Sequence, residues 1–230
     1  MGGQQAGAEG RGTYAQGSSK PRYDNIAKEG AAVTIEEVNY DDCVRMAAAE
    51  AAETKHGVVV QDTAWEGYEE IPARIMQGYG TMANEAAEQL RQMEINRPTH
   101  VFVQAGVGSL AGAVVGYFTN LFPNNPPKFV VMEPRRQTAC TAELWPETDS
   151  PGLWKAISRP SWQVLPAVSP TSSPGTFCAI TWRPLVSCPD WVSARGMRML
   201  GVPVKGDPTV ISGESGAVGM GLIAALMETD

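Results

Sequence analysis

The sequence predicts an α/β protein in which helices cover both faces of a parallel sheet. Short β-type runs alternate with helical stretches over residues 21–140, and this alternation is typical of parallel strands joined by crossover helices. A glycine turn lies between a strand and a helix at residues 104–112, Q-A-G-V-G-S-L-A-G. Strand-turn-helix units of this kind belong to the same architecture.

The predicted elements follow one another closely as far as about residue 138. In chain order we expect a helix ending near residue 29, a β-type run at 31–38, and a helix at 40–56 with Asn39 and Gly57 as caps. After these come a buried strand at 58–62, an amphipathic helix at 72–93, a strand and helix at 100–118, and a strand at 128–134.

Three further segments complete the predicted organisation. Residues 1–20 are rich in Gly, Gln and Ser without an apolar period, which predicts a disordered or non-native N-terminus ahead of the core segment at 21–140. Residues 141–186 are rich in proline and tryptophan and show no helical or strand period, so an irregular segment is expected. A C-terminal core segment at 187–230 contains two helical stretches, the second with a glycine-rich start.

The amino-acid composition argues against several classes of binding partner. The net charge of −7 argues against a general binder of nucleic acid or membrane surfaces, because such proteins concentrate Lys and Arg. No apolar run is long enough to cross a bilayer and the N-terminus lacks a secretory core, so we expect a cytoplasmic protein with a small-molecule ligand. The four cysteines form no C-x-x-C pair, which predicts reduced structural thiols and no metal site.

The glycine turn predicts an anion site. Gly106 and Gly108 let the backbone turn sharply, and the amides of residues 107–110 are left without intrahelical partners at the positive end of the helix dipole. Such a turn suits a phosphate group, although glycines there also permit close packing of a helix on a sheet. Two ligands fit the turn. One is a dinucleotide, with Ala111 completing its fingerprint and Glu133 at the ribose, and the other is a single-phosphate cofactor such as pyridoxal phosphate.

Seven stretches together resemble one enzyme family. They are N-Y-D-D (39–42), V-V-Q-D-T-A-W-E-G-Y (59–68), I-P-A-R-I-M-Q-G-Y-G-T-M-A-N-E (71–85), Q-A-G-V-G-S-L-A-G (104–112), V-M-E-P (131–134), S-C-P-D-W-V-S-A-R-G-M-R-M-L-G (187–201) and I-S-G-E-S-G-A-V-G (211–219). In this order they are similar to the diaminopropionate ammonia-lyases, pyridoxal-phosphate enzymes of the tryptophan synthase β type (fold type II). The resemblance implies α,β-elimination of 2,3-diaminopropionate, an amino acid, to pyruvate and ammonia. It also implies pyridoxal 5'-phosphate as cofactor and a homodimer as the intact assembly.

The resemblance also implies roles for five residues. The amides of Gly106, Val107, Gly108 and Ser109 would bind the cofactor phosphate. Asp62 would lie near the substrate and assist proton transfer as a candidate catalytic residue. A turn cap is an equally good interpretation of Asp62, because Asp followed by Thr is common at strand ends.

Three other residues have simpler alternative explanations. Glu214 begins the last helix near the cofactor in this fold class, although a plain helix start accounts for it as well. Trp65 and Tyr68 would wall the pocket, whereas aromatic residues three apart are more often part of a core.

The sequence departs from the family at the Schiff-base lysine. Family members carry the Schiff-base lysine in an F-K-x-x-G type motif well upstream, followed by an Asp-Gly-Asn loop, and this chain contains neither. Its lysines lie in other contexts: Lys20, Lys28, Lys55, Lys128, Lys155 and Lys205. We therefore expect a chain that is truncated at both ends relative to the family and inactive as an ammonia-lyase.

The irregular segment is consistent with a shifted reading frame. R-P-S-W-Q-V-L-P-A-V-S-P-T at residues 159–171 can be back-translated so that a displaced frame reads T-I-M-A-G-L-A-C-G-E-P-N, which resembles the family at this place. We hypothesise that residues 140–185, and on a smaller scale residues 9–16, are translated out of frame. Two alternatives stay open for the whole chain: an NAD(P)-binding oxidoreductase fragment that uses the same turn, or a non-catalytic remnant.

Overall fold

The computed structural model describes residues 9–15, 20–134 and 185–228. Most of the predicted irregular segment, with Cys140, Lys155 and Cys178, lies outside these residues, as does the shifted-frame hypothesis for 140–184. The chain divides into two compact units between Val60 and Gln61.

The first unit is a small parallel βαβα arrangement. Its elements are β1 (Arg11–Ala15), α1 (Lys20–Lys28), β2 (Ala32–Glu36) and α2 (Tyr40–Glu53). Strand β1 pairs with β2 in parallel, with Thr13 opposite Thr34. Residues 11–15 therefore form a strand where the composition of residues 1–20 predicts a loop, because Thr13 and Tyr14 favour extended backbone once β2 supplies the hydrogen-bond ladder.

Helix α2 begins as predicted and ends early. The Asn39 side chain accepts a hydrogen bond from the Asp42 amide at 2.9 Å, which caps the first turn. The helix ends at Glu53, three residues before the predicted end at 56. His56 then adopts a left-handed conformation (φ 63°), so the chain reverses one residue ahead of Gly57, the predicted cap.

The buried strand predicted at residues 58–62 is wrong. None of the sheet ladders in the described part of the chain includes this segment, and Val58 and Val60 are 65% and 73% exposed. A strand needs a neighbour to satisfy its backbone groups, and an apolar run alone does not provide one. The segment has no regular secondary structure.

The second unit contains the main sheet and its helices. Its elements are α3 (Glu70–Gln92), β3 (His100–Gln104), α4 (Ser109–Leu121), β4 (Lys128–Pro134), β5 (Leu185–Cys188), α5 (Asp190–Gly201) and α6 (Glu214–Met227). The strands are parallel in the order β3-β4-β5. No helix among residues 9–15, 20–134 and 185–228 is long and apolar enough to cross a membrane.

Strand β4 places alternate side chains on opposite faces of this sheet. Phe129 and Val131 belong to one core with residues of α3 and α4: Ala83, Ala87, Val114, Val115 and Phe118. Val130 and Met132 belong to a second core with residues of β5, α5 and α6: Val186, Cys188, Val192, Val218 and Leu222. Helices therefore cover both faces of a parallel sheet, which confirms the predicted fold class.

Two of the four cysteines lie in the described residues. Cys43 and Cys188 are buried free thiols. Burial raises the pKa of Cys188 to about 11, and burial is also the main cause of the raised pKa of Cys43. Both behave as small apolar side chains of the interior.

Helices α5 and α6 pack backbone to backbone at two glycines. A Cβ atom added to Gly221 would lie 1.9 Å from the carbonyl oxygen of Val192, and one added to Gly196 would lie 2.0 Å from that of Ala217. Neither carbonyl can move without disturbing its own helix. The closeness of the two helices thus depends on the absence of side chains at these positions.

Gly221→Ala is expected to lower the free energy of unfolding by about 2 kcal/mol or more, because the helices must separate to admit a methyl group. Gly80→Ala in α3 is the matched control, since a Cβ there meets nothing within 4 Å. The control is expected to be neutral or stabilising by about 0.5 to 1 kcal/mol through helix propensity. Urea unfolding of both variants measures this, and equal stabilities would contradict the packing described.

Candidate functional site

The glycine turn connects β3 to α4 at the carboxyl end of the sheet. The Ala105 amide donates to the carbonyl oxygen of Met132 at 2.8 Å, so the chain follows β4 for one residue beyond the strand. Gly108 is left-handed (φ 95°, ψ −17°), a conformation that residues with a Cβ rarely adopt. The first turn of α4 then closes with the Gly112 amide donating to the Gly108 carbonyl oxygen at 2.8 Å.

Four consecutive amides at this turn are available to a ligand. In the described part of the chain, the amides of Gly106, Val107, Gly108 and Ser109 have no acceptor. They lie at the start of a 13-residue helix, where the dipole favours negative charge. A Cβ added to Gly106 would meet nothing within 4 Å, so the space beside the turn is open. This geometry suits a phosphate group.

Asp62 lies beside the turn and is held from two directions. The Ser109 hydroxyl donates to the main-chain carbonyl oxygen of Asp62 at 2.6 Å. The Tyr79 hydroxyl donates to the carboxylate oxygen Oδ2 of Asp62 at 3.0 Å. The structure therefore brings together Asp62 and the amide turn, which lie more than 40 residues apart in the sequence.

A compact aromatic turn supports the residue before Asp62. The rings of Trp65 and Tyr68 stack with their centroids 4.1 Å apart, and their backbones form an isolated antiparallel bridge. The Tyr68 hydroxyl accepts from the Gln61 amide at 3.0 Å and donates to the Gln61 carbonyl oxygen at 3.3 Å. Tyr68 thus fixes the backbone of Gln61, and the role of Trp65 and Tyr68 as pocket walls stays a prediction.

Two polar atoms on either side of Asp62 have no partner. The side-chain nitrogen Nε2 of Gln61 and the hydroxyl of Thr63 are buried, and neither has a hydrogen-bond partner within the described residues. An unsatisfied buried donor costs roughly 1 to 3 kcal/mol. Such atoms beside an open anion-suited turn are consistent with a site that a polar ligand completes.

Tyr79 is the site residue that sequence reasoning missed. It is a partly buried residue of α3, and burial is the largest cause of its raised pKa, followed by the hydrogen bond to Asp62. Its position in the helical run Q-G-Y-G carries no sequence signal of a site. Only the return of α3 past Asp62 brings the phenol to the carboxylate.

Glu214 and Glu133, the two glutamates that the sequence suggests as ligand contacts, differ in their exposure. Glu214 is the exposed first residue of α6, and its role at the cofactor stays a prediction. Glu133, which the dinucleotide alternative places at a ribose, is 1% exposed within β4. A carboxylate buried in this way is not presented to a ligand, which disfavours that alternative.

A parallel α/β sheet with a phosphate-suited glycine turn defines a class of phosphate-binding proteins. The model of the family described as pyridoxal-phosphate dependent enzyme matches residues 1–181. The chain belongs to this family.

The chain is similar to diaminopropionate ammonia-lyases. It is 41% identical over 224 residues to that enzyme of Escherichia coli strain K12, and 42% identical over 228 residues to that of Salmonella typhimurium strain LT2. Each match covers 92% of this chain and 52% of the relative, so the chain spans about half the length of these curated relatives. The crystal structure of the holo E. coli enzyme matches with a TM-score of 0.79 and 38% identity, covering 97% of this chain and 55% of that chain.

Thr63→Val is expected to leave the stability of the ligand-free chain unchanged or to raise it by about 1 kcal/mol, because a methyl group replaces an unsatisfied buried hydroxyl. Thr54→Val is the matched control, since the Thr54 hydroxyl donates to the Glu50 carbonyl oxygen at 2.7 Å and its loss is expected to destabilise. Chemical denaturation of both variants measures the difference. A loss of more than about 1 kcal/mol in Thr63→Val would show that its hydroxyl has a partner.

Proposed function

We propose that the turn at residues 106–109 binds the phosphate of pyridoxal phosphate, and that the site is that of an ammonia-lyase for 2,3-diaminopropionate. The observation that carries the proposal is the row of four amides without acceptors among the described residues, beside an open space and joined to Asp62 by the Ser109 hydrogen bond. Family membership and the 41% identity to diaminopropionate ammonia-lyase support the same cofactor and substrate class.

The residues present fit the phosphate end of the cofactor. Four neutral amides and a helix N-terminus bind a phosphate through hydrogen bonds and the helix dipole. The Ser109 hydroxyl donates a hydrogen bond to the main-chain carbonyl oxygen of Asp62, which leaves the Ser109 amide for the phosphate. Gly108 supplies the left-handed conformation that the turn requires.

Bound pyridoxal phosphate supplies an electron sink for negative charge at the substrate Cα. Asp62 is the residue of this chain that would move a proton near the substrate, because its carboxylate is partly buried and its main chain is tied to the turn. Gln61 and Thr63 would orient polar groups of the ligand on either side of it. The chain therefore contains a phosphate clamp and a candidate acid-base group.

The lysines of the described residues do not complete this site. Lys20, Lys28, Lys55, Lys128 and Lys205 are all exposed. The proposal is accordingly that the 230-residue chain binds the cofactor but does not by itself catalyse elimination. The homodimer is a further expectation from the resemblance, and the cytoplasmic location is one from the sequence. Native mass measurement tests the first and cell fractionation the second.

Gly108→Asp is expected to abolish pyridoxal-phosphate binding, because a carboxylate would occupy the place of the phosphate charge. Gly108→Asn separates charge from shape, since Asn and Asp both tolerate the left-handed conformation and Asn is neutral. Gly116→Asp adds the same charge on α4 at a position where a Cβ meets nothing within 4 Å. Equilibrium titration should show affinity lost in Gly108→Asp, partly kept in Gly108→Asn and unchanged in Gly116→Asp. Equal affinities in all three would place the ligand elsewhere.

The purified chain with pyridoxal phosphate is expected to release no pyruvate from 2,3-diaminopropionate above the rate of the free cofactor. The physical reason is that an exposed lysine is not held in a fixed position against the cofactor. A coupled pyruvate assay against a free-cofactor control measures this. Stoichiometric borohydride trapping on one lysine, with turnover lost on its change to Ala, would overturn the expectation.

A further inference from the structure

The Asp62 carboxylate is held by one side chain from another element. Asp62 lies in irregular backbone ahead of α3, where no ladder or helix fixes its side chain. The Tyr79 hydroxyl, on the third turn of α3, donates to Oδ2 at 3.0 Å. Within the described residues, the oxygen Oδ1 has no hydrogen-bond partner. The two carboxylate oxygens are therefore not equivalent.

Hydroxyl groups from three separate elements converge on two adjacent residues. Tyr68 binds both backbone groups of Gln61, Ser109 binds the carbonyl oxygen of Asp62, and Tyr79 binds its carboxylate. The first two fix the backbone, so only the third determines the direction of the side chain. Ser109 belongs to the turn itself, so its hydrogen bond places the main-chain carbonyl oxygen of Asp62 beside the proposed ligand site.

We propose that Tyr79 is a positioning residue for Asp62, holding Oδ2 so that Oδ1 is the oxygen that exchanges a proton with the ligand. This inference rests on the proposed function, because it assigns Asp62 a ligand to act on. The proton of Tyr79 stays on its own oxygen throughout, and a proton gained at Oδ1 is returned from Oδ1. No co-reactant is required.

The surroundings of Tyr79 keep its hydroxyl protonated, so that it remains a hydrogen-bond donor to Asp62. Burial first, and the neighbouring Asp62 second, raise the pKa of Tyr79 above its usual value near 10. The phenol thus remains protonated and donating over the whole neutral range. A neutral donor of this kind orients a carboxylate without neutralising it.

Tyr79→Phe removes this hydroxyl, and Tyr117→Phe is its matched control. Tyr117 also lies on a helix, and its hydroxyl donates to a single side-chain oxygen, Oδ1 of Asn84, at 2.7 Å. Each variant is titrated first with pyridoxal phosphate and then, when loaded, with 2,3-diaminopropionate. A second measurement uses aspartate labelled with ¹³C at the side-chain carboxyl group. The resonance of Asp62 is identified by its absence in Asp62→Asn.

In Tyr79→Phe we expect cofactor affinity to stay within about twofold and amino-acid affinity to fall about tenfold, with a displaced Asp62 resonance. Tyr117→Phe is expected to change none of these, and 3-fluorotyrosine at position 79, which keeps the hydroxyl, is expected to restore all of them. An unmoved Asp62 resonance, or equal losses of both affinities, would overturn the proposal. If the wild-type chain binds no cofactor, the proposed function fails, and the ¹³C comparison still decides whether Tyr79 orients Asp62.

Discussion

Gly108 adopts a left-handed conformation between β3 and α4, and this backbone angle determines how the strand becomes a helix. Because the chain turns sharply here, the amides of residues 106–109 are left without acceptors among the described residues, and the side chain of Ser109 is directed back to Asp62. One hydrogen bond from Ser109 then joins the anion-suited turn to the candidate acid-base residue. Most residues with a Cβ at position 108 would strain the turn and so disturb both parts of the site, Asn and Asp being the best tolerated.

The sheet around this turn was largely predictable from sequence. The alternation of apolar runs and helical periods predicts β3, α4 and β4, and the two cores on either face of β4 confirm the helices on both sides. Local sequence patterns failed to predict strands whose formation depends on pairing with a neighbouring strand. Residues 11–15 form a strand because β2 lies beside them, whereas residues 58–62 lack such a neighbour in the described structure and are not a strand.

The candidate site was predictable only in part, for a related reason. Glycines after a strand indicate a phosphate turn, because their effect is local and requires no tertiary contact. The neighbours of Asp62 are different, since Tyr79 and Ser109 reach it through the return of α3 and the position of α4. Tyrosine within a helical run has no distinguishing pattern, so its hydrogen bond to the carboxylate became visible only in three dimensions.

The most direct test of the account is whether the phosphate contacts the four amides of the turn. Amide NMR of the labelled chain, titrated with pyridoxal phosphate and separately with pyridoxal, reports each backbone N–H individually. We predict saturable downfield shifts of the amides of Gly106, Val107, Gly108 and Ser109 with pyridoxal phosphate and none with pyridoxal. Shifts that are equal with both compounds, or that lie away from residues 106–109, would contradict the account.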